Sequence, residues 1–97
     1  MVWTSGTWRV IPGHESAFID AWEEFARWSQ EAFGDTTVWL LRDRTNPTIF
    51  ISIGPWPSDE VIARWRESAG FRERVRAIRQ LLVAFEPRTM DEVLAIA

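Results

Sequence analysis

The chain has 97 residues, a net charge of −3 and no cysteine. That leaves room for one domain spanning residues 1–97, nothing for a disulfide or a thiolate metal site, and the wrong charge for a protein that binds nucleic acid by neutralising phosphates. A domain this small buries only about 60–65% of its unfolded surface, but seven tryptophans and six phenylalanines supply the burial, since one buried ring removes roughly 150–250 Å² from water.

The opening "MVWTSGTWRV" lacks the basic start and long apolar core of a signal peptide. Within it Val2, Trp3, Thr4, Thr7, Trp8, Val10 and Ile11 form a β-favouring set that ends at Pro12-Gly13. The next segment places Phe18, Trp22, Phe25, Ser29 and Ala32 on one helical stripe, with acids in the first turn and Gly34 as the stop. "TTVWLLRDR" reads as a strand, "TNP" as a turn and "TIFISIG" as the returning strand of a hairpin. Pro55, Trp56 and Pro57 then break the chain, and Ser58 with Asp59 and Glu60 starts a short helix. Gly70 separates it from a second helix on which Phe71, Val75, Ile78 and Leu82 recur at helical spacing. Pro87 closes the helical region, and "RTMDEVLAIA" reads as the last strand. The longest apolar runs, such as "LLVAF", fall far short of the ~20 residues a membrane span needs, so the expectation is a cytoplasmic protein with no membrane partner.

The order is β-α-β-β-α-β with the second helix split: an α+β, ferredoxin-like antiparallel sheet with helices on one face. The hairpin is apolar on both faces, because Val38 and Leu40 alternate with Trp39 and Leu41, and Ile49, Ile51 and Ile53 alternate with Phe50. Helices cover one face only, and the other would be a greasy patch of the kind that marks an interface. A homodimer packed sheet against sheet resolves this.

"VIPGHESAFIDAW" after the first strand, "IFISIGPWPSDEVIARW" around the third and "FRERVRAIRQLL" with "FEPRTMDEVLA" at the end resemble the antibiotic biosynthesis monooxygenase superfamily over nearly the whole chain. The resemblance implies a dimeric α/β barrel. It also implies divergent activities: oxidation of anthrone-type phenols by O₂ without metal or flavin, haem degradation, or oxidation of small quinols. Trp65 matches the helix tryptophan that lines the pocket in the anthrone-oxidising and haem-degrading branches. An indole offers a flat apolar wall and one N–H donor. The strand asparagine of the haem-degrading branch falls at Thr7 and its proximal histidine at Arg74. With no cysteine and no tyrosine, and its one histidine, His14, at the start of the long helix, the chain has no axial ligand where haem would require it. One histidine makes no metal site, and the glycines occur singly, without a nucleotide loop. No cofactor is expected.

The expected function is therefore a cofactor-independent monooxygenase acting on a small hydrophobic, enolisable aromatic substrate, with Trp65, Thr7 and Arg74 as catalytic residues. Arg9, placed with Thr7 on the strand set expected to face the helices, Ser5, Trp22, Phe25 and Phe50 would bind the substrate. The alternative is a non-catalytic dimeric domain of the same fold that holds a small molecule. His14 reads as a solvated residue at a helix start. Most of the arginines among Arg64, Arg66, Arg72, Arg74, Arg76 and Arg79 read as a water-facing side laced with Glu60, Glu67 and Glu73.

Overall fold

The structure, a computed structural model, describes residues 1–97. Its elements are β1 (Val2–Val10), α1 (Glu15–Phe33), β2 (Trp39–Arg42), β3 (Ile49–Trp56), α2 (Asp59–Glu67), α3 (Ala69–Arg79) and β4 (Leu82–Asp91). The strands make one sheet in the order β2-β3-β1-β4, antiparallel throughout. The three helices pack on one face of it, the ferredoxin-like α+β arrangement. No helix is long and apolar enough to cross a membrane.

Cross-strand partners share a face of the sheet, so the pairing decides what points at the helices. Trp8 sits opposite Phe50 on β3 and Phe85 on β4. Its ring stacks on Phe85 at a 4.1 Å centroid distance and meets Phe18 of α1 at 5.6 Å. Trp8, Val10, Phe18, Phe25, Phe50, Val75 and Ile78 form the continuous core. Each such side chain contributes about 1.5–3 kcal/mol by leaving water. Thr7 and Arg9 belong to the opposite set, in register with Ile51 and Ile49. The expectation that Arg9 faces the helices is thus corrected: the period of two that buries Trp8 and Val10 turns its neighbours outward.

Boundaries differ from the sequence reading in three regions besides β2, which was read as the nine residues of "TTVWLLRDR" and pairs over four, Trp39–Arg42. First, Leu82 does not continue α3. The helix stops at Arg79, the Leu81 carbonyl accepts the Ile11 N–H at 2.9 Å, and Leu82 pairs with Val10. The strand then runs through Pro87, opposite Gly6. Proline is tolerated there because β4 is an edge strand and one side of it needs no donor. It ends at Asp91, so residues 92–97, read as strand, lie beyond it. Second, β3 continues through Pro55 to Trp56. β2 pairs only as far as Ile53, which leaves Pro55 on an unpaired side. Third, the split between α2 and α3 falls at Ser68, not Gly70. Ser68 has extended backbone angles, and its side-chain oxygen accepts the Phe71 N–H at 3.1 Å as the cap of α3.

Candidate active site

The helix layer leaves a cavity of about 420 Å³ against the sheet. Its floor is the centre of the β1–β3 pair, where Thr4 lies opposite Gly54 and Gly6 opposite Ser52. On the helix-facing side, two hydroxyls therefore occupy diagonal corners and two glycines the others. The walls are aromatic. Trp56 ends β3 and meets Trp65 of α2 at 4.5 Å between centroids. Phe25 of α1 stacks on the other side of Trp65 at 5.7 Å, and Phe71 of α3 approaches it edge-on at 4.7 Å. The loop after α1 closes one end: Gln30 donates to the Thr36 carbonyl at 2.7 Å, and the Thr36 hydroxyl donates to the Pro55 carbonyl at 3.3 Å.

Of the four tryptophans lining the cavity, Trp8, Trp22, Trp56 and Trp65, all but Trp22 have the indole N–H engaged within the protein. Trp8 donates to Ser52 Oγ at 2.9 Å, Trp56 to Thr4 Oγ1 at 2.8 Å and Trp65 to Ser29 Oγ at 2.9 Å. Ser29 has no proton left for a ligand, since its hydroxyl already donates to the Phe25 carbonyl at 2.8 Å. Thr4 and Ser52 differ from it. Each accepts an indole N–H and has no protein acceptor for its own proton, so each can donate to a ligand oxygen lying on the floor. Trp65 accordingly presents its ring face rather than the free N–H expected of it.

The charged residues lining the cavity are Arg66, Arg79 and Arg88, and no carboxylate or imidazole joins them. Arg88 is paired with Glu86 at 3.1 Å. Arg66 donates to the neutral Thr89 hydroxyl at 2.9 Å. Arg79 makes no ion pair. No group of three or more His, Cys, Asp or Glu side chains comes together to hold a metal ion.

Of the residues expected at a site, Trp65, Trp22 and Phe25 line the cavity; Ser5 borders it between Thr4 and Gly6, but belongs with Thr7 to the set turned to the other face. Phe50 is buried in the core, 4.9 Å from Phe18 between centroids; it borders a shallower hollow shared with Trp22 and Arg42. Thr7 and Arg9 are on the far face of the sheet. Arg74 lies outside, stacked on Trp28 at 4.4 Å and bonded to Glu24 at 3.1 Å, where it ties α3 to α1. His14 caps α1, exposed and without a side-chain cap bond. Among the lining residues that the sequence reading did not place at a site are Thr4, Ser52, Trp56, Arg66 and Arg79. A charge at position 9 was the available signal for the floor, since an arginine does not belong on the buried set of a strand.

The sequence profile described as "Antibiotic biosynthesis monooxygenase" matches residues 1–77. The chain belongs to the antibiotic biosynthesis monooxygenase family. A mutant of SnoaB, a cofactor-independent oxygenase from Streptomyces nogalater, superposes on this family member with a TM-score of 0.87 at 19% identity, covering 98% of this chain and 95% of the other. A protein from Deinococcus radiodurans assigned to the antibiotic biosynthesis monooxygenases gives 0.86 at 15% identity, over 100% and 97% of the two chains. A conserved protein from Methanosarcina mazei gives 0.82 at 14%, over 92% and 89%. At these identities the likeness speaks to the fold. No curated protein matches the chain.

Proposed function

We propose that this family member is a cofactor-independent monooxygenase that oxidises a planar, enolisable aromatic substrate of the anthrone or quinol type with O₂. The observation that carries the reading is the cavity: about 420 Å³, walled by Trp56, Trp65, Phe25 and Phe71, with two donor-ready hydroxyls on its floor. Its volume falls in the range of small-molecule sites. The rings take the faces of a polycycle, while Thr4 and Ser52 receive its oxygens and stabilise the enolate that forms. The catalytic role expected of Thr7 and Arg74 thus passes, in this proposal, to residues on the cavity side.

The chemistry then belongs largely to the substrate. Its methylene carbon loses a proton, and the carbanion gives one electron to O₂. The radical pair joins at that carbon as a peroxide, which takes up a proton and loses water to leave a carbonyl. In sum, CH₂ and O₂ become C=O and H₂O. With no carboxylate or imidazole in the lining, the rate should rise with pH as the substrate itself ionises. The test is O₂ uptake with a panel of anthrones and naphthols in metal-free buffer. Wild type should turn over. Trp65→Phe should lower kcat/KM several-fold, and Ser52→Ala about tenfold or more, with circular dichroism to verify folding. Failure of every substrate to consume O₂ would sink the reading. In that case the second one stands, a non-catalytic domain that holds the same ligands. The observation favouring it is that the indole N–H groups of Trp8, Trp56 and Trp65 are already satisfied internally; it expects binding without turnover and tolerance of Trp65→Phe.

The family member also presents an uncovered apolar sheet face, with Trp39, Leu41 and Ile51 exposed. A homodimer formed through that face is part of the proposal.

A further inference from the structure

We infer that the natural ligand carries a permanent anion, a carboxylate on or beside its ring system, and that Arg79 receives it at the end of the cavity where α3 gives way to β4. The inference rests on the aromatic-ligand reading above and adds the charge of the ligand.

The chain as a whole has more acids than bases, 14 against 11, yet the charged residues lining the cavity are all arginine. Neutralisation by a nearby carboxylate does not explain two of the three. Arg88 has Glu86, but Arg66 is oriented by a neutral hydroxyl, Thr89 Oγ1 at 2.9 Å, and Arg79 has no carboxylate within ion-pair distance. Both stand on the β4 side of the cavity. Arg79 ends α3 one turn after the buried Val75 and just before β4 begins. Arg66 is tied near the other end of β4, at Thr89. The row of Phe85, Pro87 and Thr89 on the cavity side of β4 runs between them.

A transient phenolate would sit deep against the ring walls, where the floor hydroxyls are its donors. A charge carried at the α3–β4 end instead fits a side group of the ligand that stays ionised. The planar guanidinium fork matches a carboxylate in two parallel hydrogen bonds. Arg79, with no ion-pair partner in the protein, has its fork open to that group.

The experiment is a titration of the full chain, by calorimetry or tryptophan quenching, with two probes of equal shape: anthracene-2-carboxylate and 2-(hydroxymethyl)anthracene. The acid should bind about tenfold more tightly at low salt, the size of one partly exposed charge-assisted hydrogen bond, and added salt should shrink that advantage. Arg79→Gln should weaken the acid and leave the carbinol unchanged, Arg79→Lys should keep part of the preference, and Arg66→Gln, at the far end of β4, should change neither. Equal binding of the two probes to wild type overturns the inference, as do Arg79 variants that weaken both probes alike. Binding of neither probe overturns it together with the aromatic-ligand reading. O₂ uptake separates the two claims. Turnover of a neutral anthrone with no acid preference leaves the oxygenase standing without the anion site. An acid preference without O₂ uptake leaves the anion site standing without the oxygenase.

Discussion

Trp65 is fixed on every side that matters to a ligand: its N–H is bonded to Ser29, and its ring is held among Phe25, Trp56 and Phe71. Such a ring cannot swing to make room, so the cavity's width is set before any ligand arrives. Glu15 plays a comparable part at the turn from β1 into α1. Its two carboxylate oxygens accept the Gly13 N–H at 3.0 and 3.1 Å, and Gly13 holds a positive φ of 94°. These backbone hydrogen bonds lower the Glu15 pKa, because they stabilise the charged form. A carboxylate depressed in the folded state contributes stability above its unfolded pKa and loses it as pH falls through the folded value. The window therefore lies at the lower edge of the ordinary carboxylate range and below. Thermal unfolding followed from neutral to acid pH should show Glu15→Gln with a shallower acid loss than wild type. Superimposable slopes would mean that the turn does not depend on this charge.

At the scale of elements, the contact between α1 and α3 depends on one absent side chain. A Cβ placed on Gly70 would lie within 3 Å of Trp28 ring atoms, and Arg74 then stacks over the same ring. In an open helix Gly→Ala gains about 1 kcal/mol; here overpacking should reverse the sign and cost about 1–2 kcal/mol. Denaturant unfolding should show Gly70→Ala destabilised in wild type but neutral or stabilised in a Trp28→Leu background. Equal effects in both backgrounds would remove the steric explanation. The helix breaker expected at Gly70 is thus a packing glycine, and Ser68 makes the break. The order of elements was legible because the long amphipathic stripe of α1 and the apolar hairpin have unambiguous periods. The face of β1 was not, because residues 2–10 are β-favouring on both alternating sets, and only the pairing of Trp8 with Phe50 and Phe85 tells the two apart. That one choice moved the cavity floor from Thr7 and Arg9 to Thr4 and Gly6. Likewise Leu82 suited a helical stripe and a strand equally well, and the Leu81 carbonyl's bond to Ile11 is a long-range contact that no local pattern announces.

For the whole molecule, the unresolved force is the outer sheet face. Across it Leu41, Ile51 and Thr7 stand in one row, and Trp39, Ile53 and Ser5 in the next. Trp39, Leu41 and Ile51 are 44%, 55% and 42% exposed, too much for residues of this size unless something covers them. Edge pairing is a poor solution. β2 offers only four residues, and β4 carries Pro87 together with the charged Glu86 and Arg88. Face-to-face packing has no such obstacle, and a two-fold axis would set the apolar β2–β3 half of each sheet against its copy. Sedimentation at micromolar concentration should then give twice the chain mass, and Leu41→Asp or Ile51→Arg should shift the species to a folded monomer with its helix content unchanged. A wild-type chain that sediments as a stable monomer would refute the sheet-face dimer. Because the cavity opens on the opposite face of the sheet, the monomeric variants should still bind the anthracene probes. If binding were lost with dimerisation, the sheet would be transmitting the contact through Thr4, Gly6 and Ser52, whose strand neighbours Ser5, Thr7 and Ile51 lie on the outer face.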